Sequence, residues 1–232
     1  MSWLESARTI EIEPSLYAAD FAHLGEQIEA LMEAGTRAFH FDMGDGHFVP
    51  PVTIGPIVLE SIAPRIHELG GIIDCHLMVE APERHFEAIA QAGGDSVTIH
   101  HEACRDLREI SAAARTHGLA VGLAFNPETT PEAVAAGAMD FDLVLCMSIH
   151  PGYSGQAFMS DALDRVRALR RLLPDRMPIQ VDGGVSRGNV PALCAAGAQL
   201  LVVGTGIFAH ADPAEAYREL AESALAATAV PS

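Results

Sequence analysis

A closed (β/α)8 barrel is the fold class this sequence predicts, and three observations predict it. Short β-rich apolar runs alternate eight times with stretches of helical periodicity, the pattern of parallel βαβ units and not of hairpins. The helical stretches carry their punctuation in the expected places, with proline in a first turn and glycine just past a last one. The chain has 232 residues, the compact end of the range for eight such units. The competing open, doubly wound sheet places a glycine fingerprint after its first strand. Here that strand ends in Pro14-Ser15-Leu16.

In chain order, the first run starts near Ile10 and is followed by helical periodicity over 21–34, closed by Gly35. The second starts near Ala38, with a helix over 56–69. The third starts near Gly71, and its helix, 82–92, opens on Pro82 and ends at Gly93. The fourth starts near Asp95, with a helix over 103–117 ending at Gly118. The fifth starts near Ala120, and its short helix, 131–136, opens on Pro131. The sixth starts near Phe141, with a helix over 161–173 after the long glycine-bearing loop 148–156. The seventh starts near Pro178, with Val190–Ala196 helical up to Gly197. The eighth starts near Gln199 and leads to a last helix, 213–227, opened by Pro213. No linker or low-complexity tract interrupts this rhythm, so residues 1–232 read as a single barrel domain with 228–232 as a frayed tail.

Composition narrows the function. Fourteen basic residues face 31 acidic ones, a net charge of −17, which disfavours both nucleic acid and an anionic membrane surface as partners. A long uncharged stretch, 192–209, contains Gln199 and three glycines and reads as strand plus loop, not as a membrane span. The first residues lack the basic-then-apolar order of a signal peptide. Cys75, Cys104, Cys146 and Cys194 show no CxxC spacing, so neither a disulfide framework nor a zinc knuckle is expected. The expectation is a soluble, reduced, cytoplasmic protein.

In such a barrel, chemistry sits at the carboxyl ends of the strands. The second strand presents His40-Phe41-Asp42, the third Asp74-Cys75-His76, the seventh Gln180-Val181-Asp182, and the first ends on Ser15. Residues two apart share a face, so His40 and Asp42 point inward together while Phe41 points away. Two imidazoles and two carboxylates suit one borderline divalent ion: Zn²⁺, Mn²⁺, Fe²⁺ or Co²⁺. Asp74 is expected one layer deeper than His76, Asp45-Gly46 reads as a turn, and Cys75 as an inert core thiol. His47, His100, His101 and His150 read as hydrogen-bonding residues rather than ligands. His23, His67, His85, His117 and His210 read as surface residues. Glycines follow strands six, seven and eight at Gly152–Gly155, Gly183-Gly184 and Gly204-Thr205-Gly206, and 206–209 reads as a short extra helix. This is a main-chain cradle for a phosphate, with no nearby lysine or arginine except Arg187 on the following helix.

These residues resemble the ribulose-phosphate 3-epimerase family over about residues 13–208. The resemblance is carried by Pro14-Ser15-Leu16, Ala19-Asp20-Phe21, His40-Phe41-Asp42, Asp45-Gly46-His47-Phe48-Val49-Pro50, Asp74-Cys75-His76-Leu77-Met78-Val79, Asn126-Pro127, Met147-Ser148, Pro151-Gly152, Val181-Asp182-Gly183-Gly184 and Val203-Gly204-Thr205. It implies a (β/α)8 barrel with His40, Asp42, His76 and Asp182 as metal ligands and Asp42 and Asp182 as the acid/base pair. Ser15, His76, Met147, Gly152, Tyr153, Ser154, Gly155, Gly183, Gly184, Gly204 and Thr205 are implied as substrate contacts, the glycine-bearing segments and Thr205 holding the phosphate. The implied reaction interconverts D-ribulose 5-phosphate and D-xylulose 5-phosphate through an enediolate. One carboxylate removes the C3 proton, the other returns one to the opposite face, and one divalent ion offsets the charge on the ketone oxygen. A homo-oligomer is also implied.

The sequence departs from the family pattern at Gly44, where a methionine of an apolar cap is usual, at His150, where asparagine is usual, and at Ser154. These changes touch the substrate end and leave open allulose 6-phosphate or a tetrulose phosphate as substrate, or a non-catalytic sugar-phosphate-binding barrel. The sequence contains no lysine at all, which excludes a Schiff-base aldolase.

Overall fold

Alternation along each strand decides which side chains reach the barrel interior. In the computed structural model, which describes residues 10–228, the strands are β1 (Glu11–Pro14), β2 (Ala38–Gly44), β3 (Ile72–Met78), β4 (Ser96–His100), β5 (Ala120–Phe125), β6 (Leu143–Met147), β7 (Ile179–Asp182) and β8 (Leu200–Val203). They form one sheet in the order β1-β8-β7-β6-β5-β4-β3-β2, with parallel neighbours throughout. Between β1 and β2 a parallel bridge, Ser15 to His40, brings the sheet round to a nearly closed barrel. The predicted fold class holds.

Around the strands lie α1 (Leu24–Ala34), α2 (Pro56–Glu68), α3 (Phe86–Ala92), α4 (Leu107–Thr116), α5 (Pro131–Gly137), α6 (Ala162–Leu172), α7 (Val190–Ala196), the single-turn α8 (Thr205–Phe208) and α9 (Pro213–Thr228). Outward strand residues such as Phe39, Phe41, Ile73, Cys75, Val97, Ile99 and Val121 join the inner helix faces in one large apolar shell. Each such aliphatic or aromatic side chain contributes about 1.5–3 kcal/mol on full burial. A smaller apolar cluster, including Ala38, Ile72, Leu143, Leu145 and Leu200, fills the barrel interior. Cys75 belongs to the outer shell as expected, and all four cysteines are free thiols. Among the described residues no helix is long and apolar enough to cross a membrane.

Several boundaries differ from expectation for local reasons. The fourth helix begins at Leu107, not 103, because the Asp106 carboxylate accepts from the backbone N–H of Arg108 and Glu109, and 101–103 form a separate 3-10 turn. The first helix begins at Leu24, after an Asx turn in which Asp20 accepts from Ala22 N–H. The third divides into a 3-10 turn, Pro82–Arg84, and α3. The sixth strand starts at Leu143 because a 3-10 turn occupies Ala138–Asp140. The extra helix, expected over 206–209, begins one residue earlier. Of the expected frayed tail, Thr228 is the last helical residue and 229–232 lie outside the described residues.

Candidate active site

The inward residues at the carboxyl ends of β2, β3 and β7 converge on one point. His40, Asp42, His76 and Asp182 each offer a ligand atom, and these four atoms lie within 4.8 Å of one another. Asp42 Oδ1 is 3.3 Å from His40 Nε2 and 3.1 Å from His76 Nδ1, and Asp182 Oδ2 is 3.8 Å from His76 Nδ1. Strand register explains the meeting. Asp42 pairs with His76 across β2 and β3, so every second residue of each strand enters the same space. Ser15, at the end of β1, donates its hydroxyl to Asp42 Oδ2 at 2.6 Å.

The electrostatics set the two carboxyl groups apart. Burial acts to raise the pKa of Asp42, but His40 and His76 outweigh it and hold this carboxylate well below the usual range. Asp182 has no such excess of positive neighbours. Burial and the charge of Asp42 push it up to about 7. Burial opposes a charge on His40, yet Asp42 and Asp74 raise its pKa well above the ordinary value, whereas burial lowers that of His76. Both ring nitrogens of His40 are buried without a hydrogen bond, and Nε2 faces the cluster. Two close carboxyl groups and an orphaned imidazole nitrogen form a donor set that fits a divalent cation.

One layer deeper, as expected for Asp74, lies a second polar group. Asp74 accepts from Ser96 Oγ at 2.6 Å, Thr98 Oγ1 at 3.0 Å and Gln180 Nε2 at 3.2 Å, and its Oδ2 is 3.3 Å from His40 Nδ1. Gln180 Nε2 also donates to Glu13 of β1. Glu13, His40 and Asp74 could also gather round a cation. However, the Asp74 oxygens are taken up by three donors, and burial followed by Asp74 pushes Glu13 up to about 8. A glutamic acid that holds its proton at neutral pH reads as part of a hydrogen-bonded floor. On β5, Gly122 makes room there: a Cβ would lie 2.3 Å from Thr98 Oγ1.

Above the cluster is a cavity open to solvent. Ser15, Asp42, Met147 and Asp182 line it from the strand ends. Gly152, Tyr153, Ser154 and Gly155 line it from the loop after β6, and Gly183, Gly184, Gly204 and Thr205 from the loops after β7 and β8. His40 and His76 lie beneath it, fully buried. Among the described residues no basic side chain lines this cavity. The β6 loop is stitched by Gln156, whose Nε2 donates to the carbonyls of His150 and Tyr153, and by Ser148 Oγ, which donates to Gly183 O at 2.6 Å. Gly184 has φ +61°, and a Cβ there would stand 2.7 Å from the Phe158 backbone nitrogen. Gly44 is enclosed, because a Cβ would meet Pro51 O and Val49 Cγ2, both at 2.9 Å. The Pro51 carbonyl and the Val49 side chain thus occupy the space that a side chain at position 44 would need, while Met78 and Met147 do line the cavity.

Of the other histidines, His100 and His150 are hydrogen-bonding residues as expected, and of those expected at the surface only His85 is partly buried. Asp45 closes a turn by accepting from His47 N–H and Phe48 N–H. His150 pairs with Glu128 at 2.6 Å on the exterior, and His23 and His67 pair with Asp20 and Asp95. His117 and His210 are exposed, and His85 is half-buried. His100 makes its hydrogen bond inside the barrel. It ends β4 fully buried, its Nε2 is 2.8 Å from His76 Nε2, and the two ring planes lie within 21° of each other with centroids 5.0 Å apart. Its Nδ1 is 3.5 Å from Glu102 Oε2. Burial lowers His100 to about 4. Glu102 is held at about 2 against the opposing effect of burial by His100, Thr129 and the Asn126 N–H. Tyr17 and Ile149 also line the cavity without having been singled out.

The profile of the ribulose-phosphate 3 epimerase family matches residues 11–208, from β1 to the end of α8. A ribulose-phosphate 3-epimerase of Bacillus subtilis is 36% identical over 215 residues, covering 91% of this chain and 98% of that one. One of Schizosaccharomyces pombe is 37% identical over 217 residues, covering 94% and 95%. Among solved structures, 3-hexulose-6-phosphate synthase from Salmonella typhimurium matches with a TM-score of 0.72 over 94% of this chain and 100% of that one. At 16% identity that is a likeness of fold alone. On the strength of this match along nearly the whole barrel, the chain belongs to the ribulose-phosphate 3-epimerase family and is an epimerase, an enzyme of the isomerase class.

Proposed function

We propose that the protein is a metal-dependent ketose-phosphate 3-epimerase that interconverts D-ribulose 5-phosphate and D-xylulose 5-phosphate by two-base proton transfer. The observation that carries this reading is the meeting of two carboxyl groups, Asp42 and Asp182, with His40 and His76 in one cluster at the floor of the cavity; their surroundings hold Asp42 below the usual carboxylate range and raise Asp182. Inversion at C3 needs one group to take a proton from one face while another gives one to the opposite face. Asp42 is poised to accept, and Asp182 carries the proton to deliver. In the reverse direction the two exchange roles.

His40, Asp42, His76 and Asp182 are the residues that would hold the divalent ion, and the fit rests on their donor types and on the orphaned His40 nitrogen. Bound there, the ion supplies Lewis-acid stabilisation of charge developing on the ketone oxygen. Ser15 fixes the Asp42 carboxylate through its 2.6 Å hydrogen bond, leaving Oδ1 toward the cluster. Met78 and Met147 present apolar surface beside the reacting carbon and keep water from the carbanion-like intermediate. With no basic side chain lining the cavity, the phosphate is held by main-chain groups of Gly152–Gly155, Gly183, Gly184, Gly204 and Thr205. That grip lends remote binding energy to orientation of C3.

The test is a turnover screen of C4, C5 and C6 ketose phosphates in deuterated water with metal-analysed protein. The expected result is about one divalent ion per chain and deuterium incorporation at C3 of ribulose 5-phosphate. Intact substrate without exchange in metal-replete protein would refute the reading.

A further inference from the structure

We propose that His100 and Glu102 are positioning residues that fix the tautomer of His76 and thereby its affinity for a divalent cation. The proposal rests on the assignment of His76 Nδ1 as a ligand atom, and goes beyond it by tracing where each imidazole proton must be.

The argument is a count of protons. His76 Nδ1 lies 3.1 Å from Asp42 Oδ1, to which it donates when no cation is present, and 3.8 Å from Asp182 Oδ2; a cation held among these atoms would displace that proton and take the Nδ1 lone pair. A neutral imidazole with that nitrogen free carries its proton on Nε2. That Nε2 lies 2.8 Å from His100 Nε2, and two ring nitrogens at this distance hold one hydrogen between them. His76 is therefore the donor and His100 Nε2 the acceptor. His100 in turn must carry its own proton on Nδ1, which is the nitrogen that faces Glu102 Oε2 at 3.5 Å. Each assignment forces the next, from a partly exposed carboxylate to the cluster.

The surroundings hold the line in place. His100 is fully buried at the end of β4 and packed against Phe48, with ring centroids 4.8 Å apart. Glu102 Oε1 is fixed by the Asn126 N–H at 2.9 Å and by the Thr129 hydroxyl. A carboxylate behind the imidazole of a metal ligand sets ring orientation and raises ligand basicity. Here that influence is relayed through a second imidazole.

The test compares wild type with His100→Phe, His100→Gln and Glu102→Gln. Zn²⁺ affinity is measured by competition with a chelator, and ring tautomers by long-range proton–nitrogen correlation in Zn²⁺-loaded protein. In wild type the expected protons are on His76 Nε2 and His100 Nδ1. His100→Phe should weaken Zn²⁺ binding roughly 10- to 100-fold, the usual consequence of losing such a partner. His100→Gln, which can still accept through its amide oxygen, should recover part of that loss. Glu102 is about a quarter exposed, so Glu102→Gln tests the same relay where His100→Phe does not fold. A proton on His100 Nε2, or unchanged Zn²⁺ affinity in all three variants, would overturn the proposal while leaving the metal site intact. Wild-type protein that takes up no Zn²⁺ would instead refute the metal reading on which it rests.

Discussion

The hydroxyl of Ser15 donates to Asp42 Oδ2 at 2.6 Å, so the end of the first strand grips the carboxylate of the second. A hydrogen bond to a charged group is worth about 1.5–3 kcal/mol. Ser15→Ala is therefore expected to lower kcat/KM roughly 10- to 100-fold through a freer Asp42. Steady-state kinetics beside an unchanged circular dichroism spectrum would check this, and unaltered kinetics would remove Ser15 from its role.

Asp182→Asn removes the group proposed to deliver the proton but keeps its shape. Epimerisation and C3 exchange should fall by about 10³-fold or more, in line with the loss of general acid catalysis. The thermal midpoint should not drop, because a partly buried carboxyl crowded by Asp42 is replaced by a neutral amide. Wild-type exchange rates in this variant would end the two-carboxylate mechanism.

Removal of the divalent ion with a chelator should abolish turnover, and re-addition should restore it. If the proposed ion binds the cluster formed only in the fold, the thermal midpoint should rise with added metal in excess of its dissociation constant. In His40→Ala that rise should shrink, which a thermal scan with and without metal would reveal.

At Gly184 an alanine must adopt φ +61° with its Cβ 2.7 Å from Phe158 N. The loop has to shift, so Gly184→Ala should raise KM for a ketose phosphate more than it lowers kcat. The reverse pattern in steady-state assays would separate Gly184 from phosphate binding.

Glu13 provides a pH signature of stability. Its pKa in the fold is about 8 against an ordinary value of 4.5. The folded state keeps a proton that the unfolded chain releases. This favours the fold below the unfolded value and is lost as pH rises through 8. Between those limits the contribution to stability falls by about 1.4 kcal/mol per pH unit. Glu13→Gln should flatten that decline, as urea unfolding at about pH 5 and about pH 8 would show. Equal slopes in both proteins would contradict a neutral Glu13.

How far the sequence speaks for the site depends on whether residues are neighbours along a strand or across the barrel. The sharing of one face by His40 and Asp42 follows from period two alone, and the strand register places His76 beside them. Nothing in a linear pattern states that β4 sets His100 against His76, because that distance depends on the twist and stagger of the closed sheet. A cue existed, since Ser96, Thr98 and His100 are polar at every second position of a strand and so all face inward. Glu13 and Gln180 were legible in the same way, as polar residues at inward positions of β1 and β7, yet their partnership spans 167 residues. Helix starts were misread where a side chain intervened, as at Asp106, since capping is a local contest that apolar periodicity does not register.

The parallel bridge that joins Ser15 to His40 is at once the seam of the barrel and the rim of the cluster, since one of its members holds Asp42 and the other belongs to it. Mild heat or denaturant that parts this seam disturbs the reacting groups while the remaining seven ladders still stand. Loss of turnover should therefore run ahead of loss of secondary structure on warming, making the enzyme's own activity the earliest alarm of its melting.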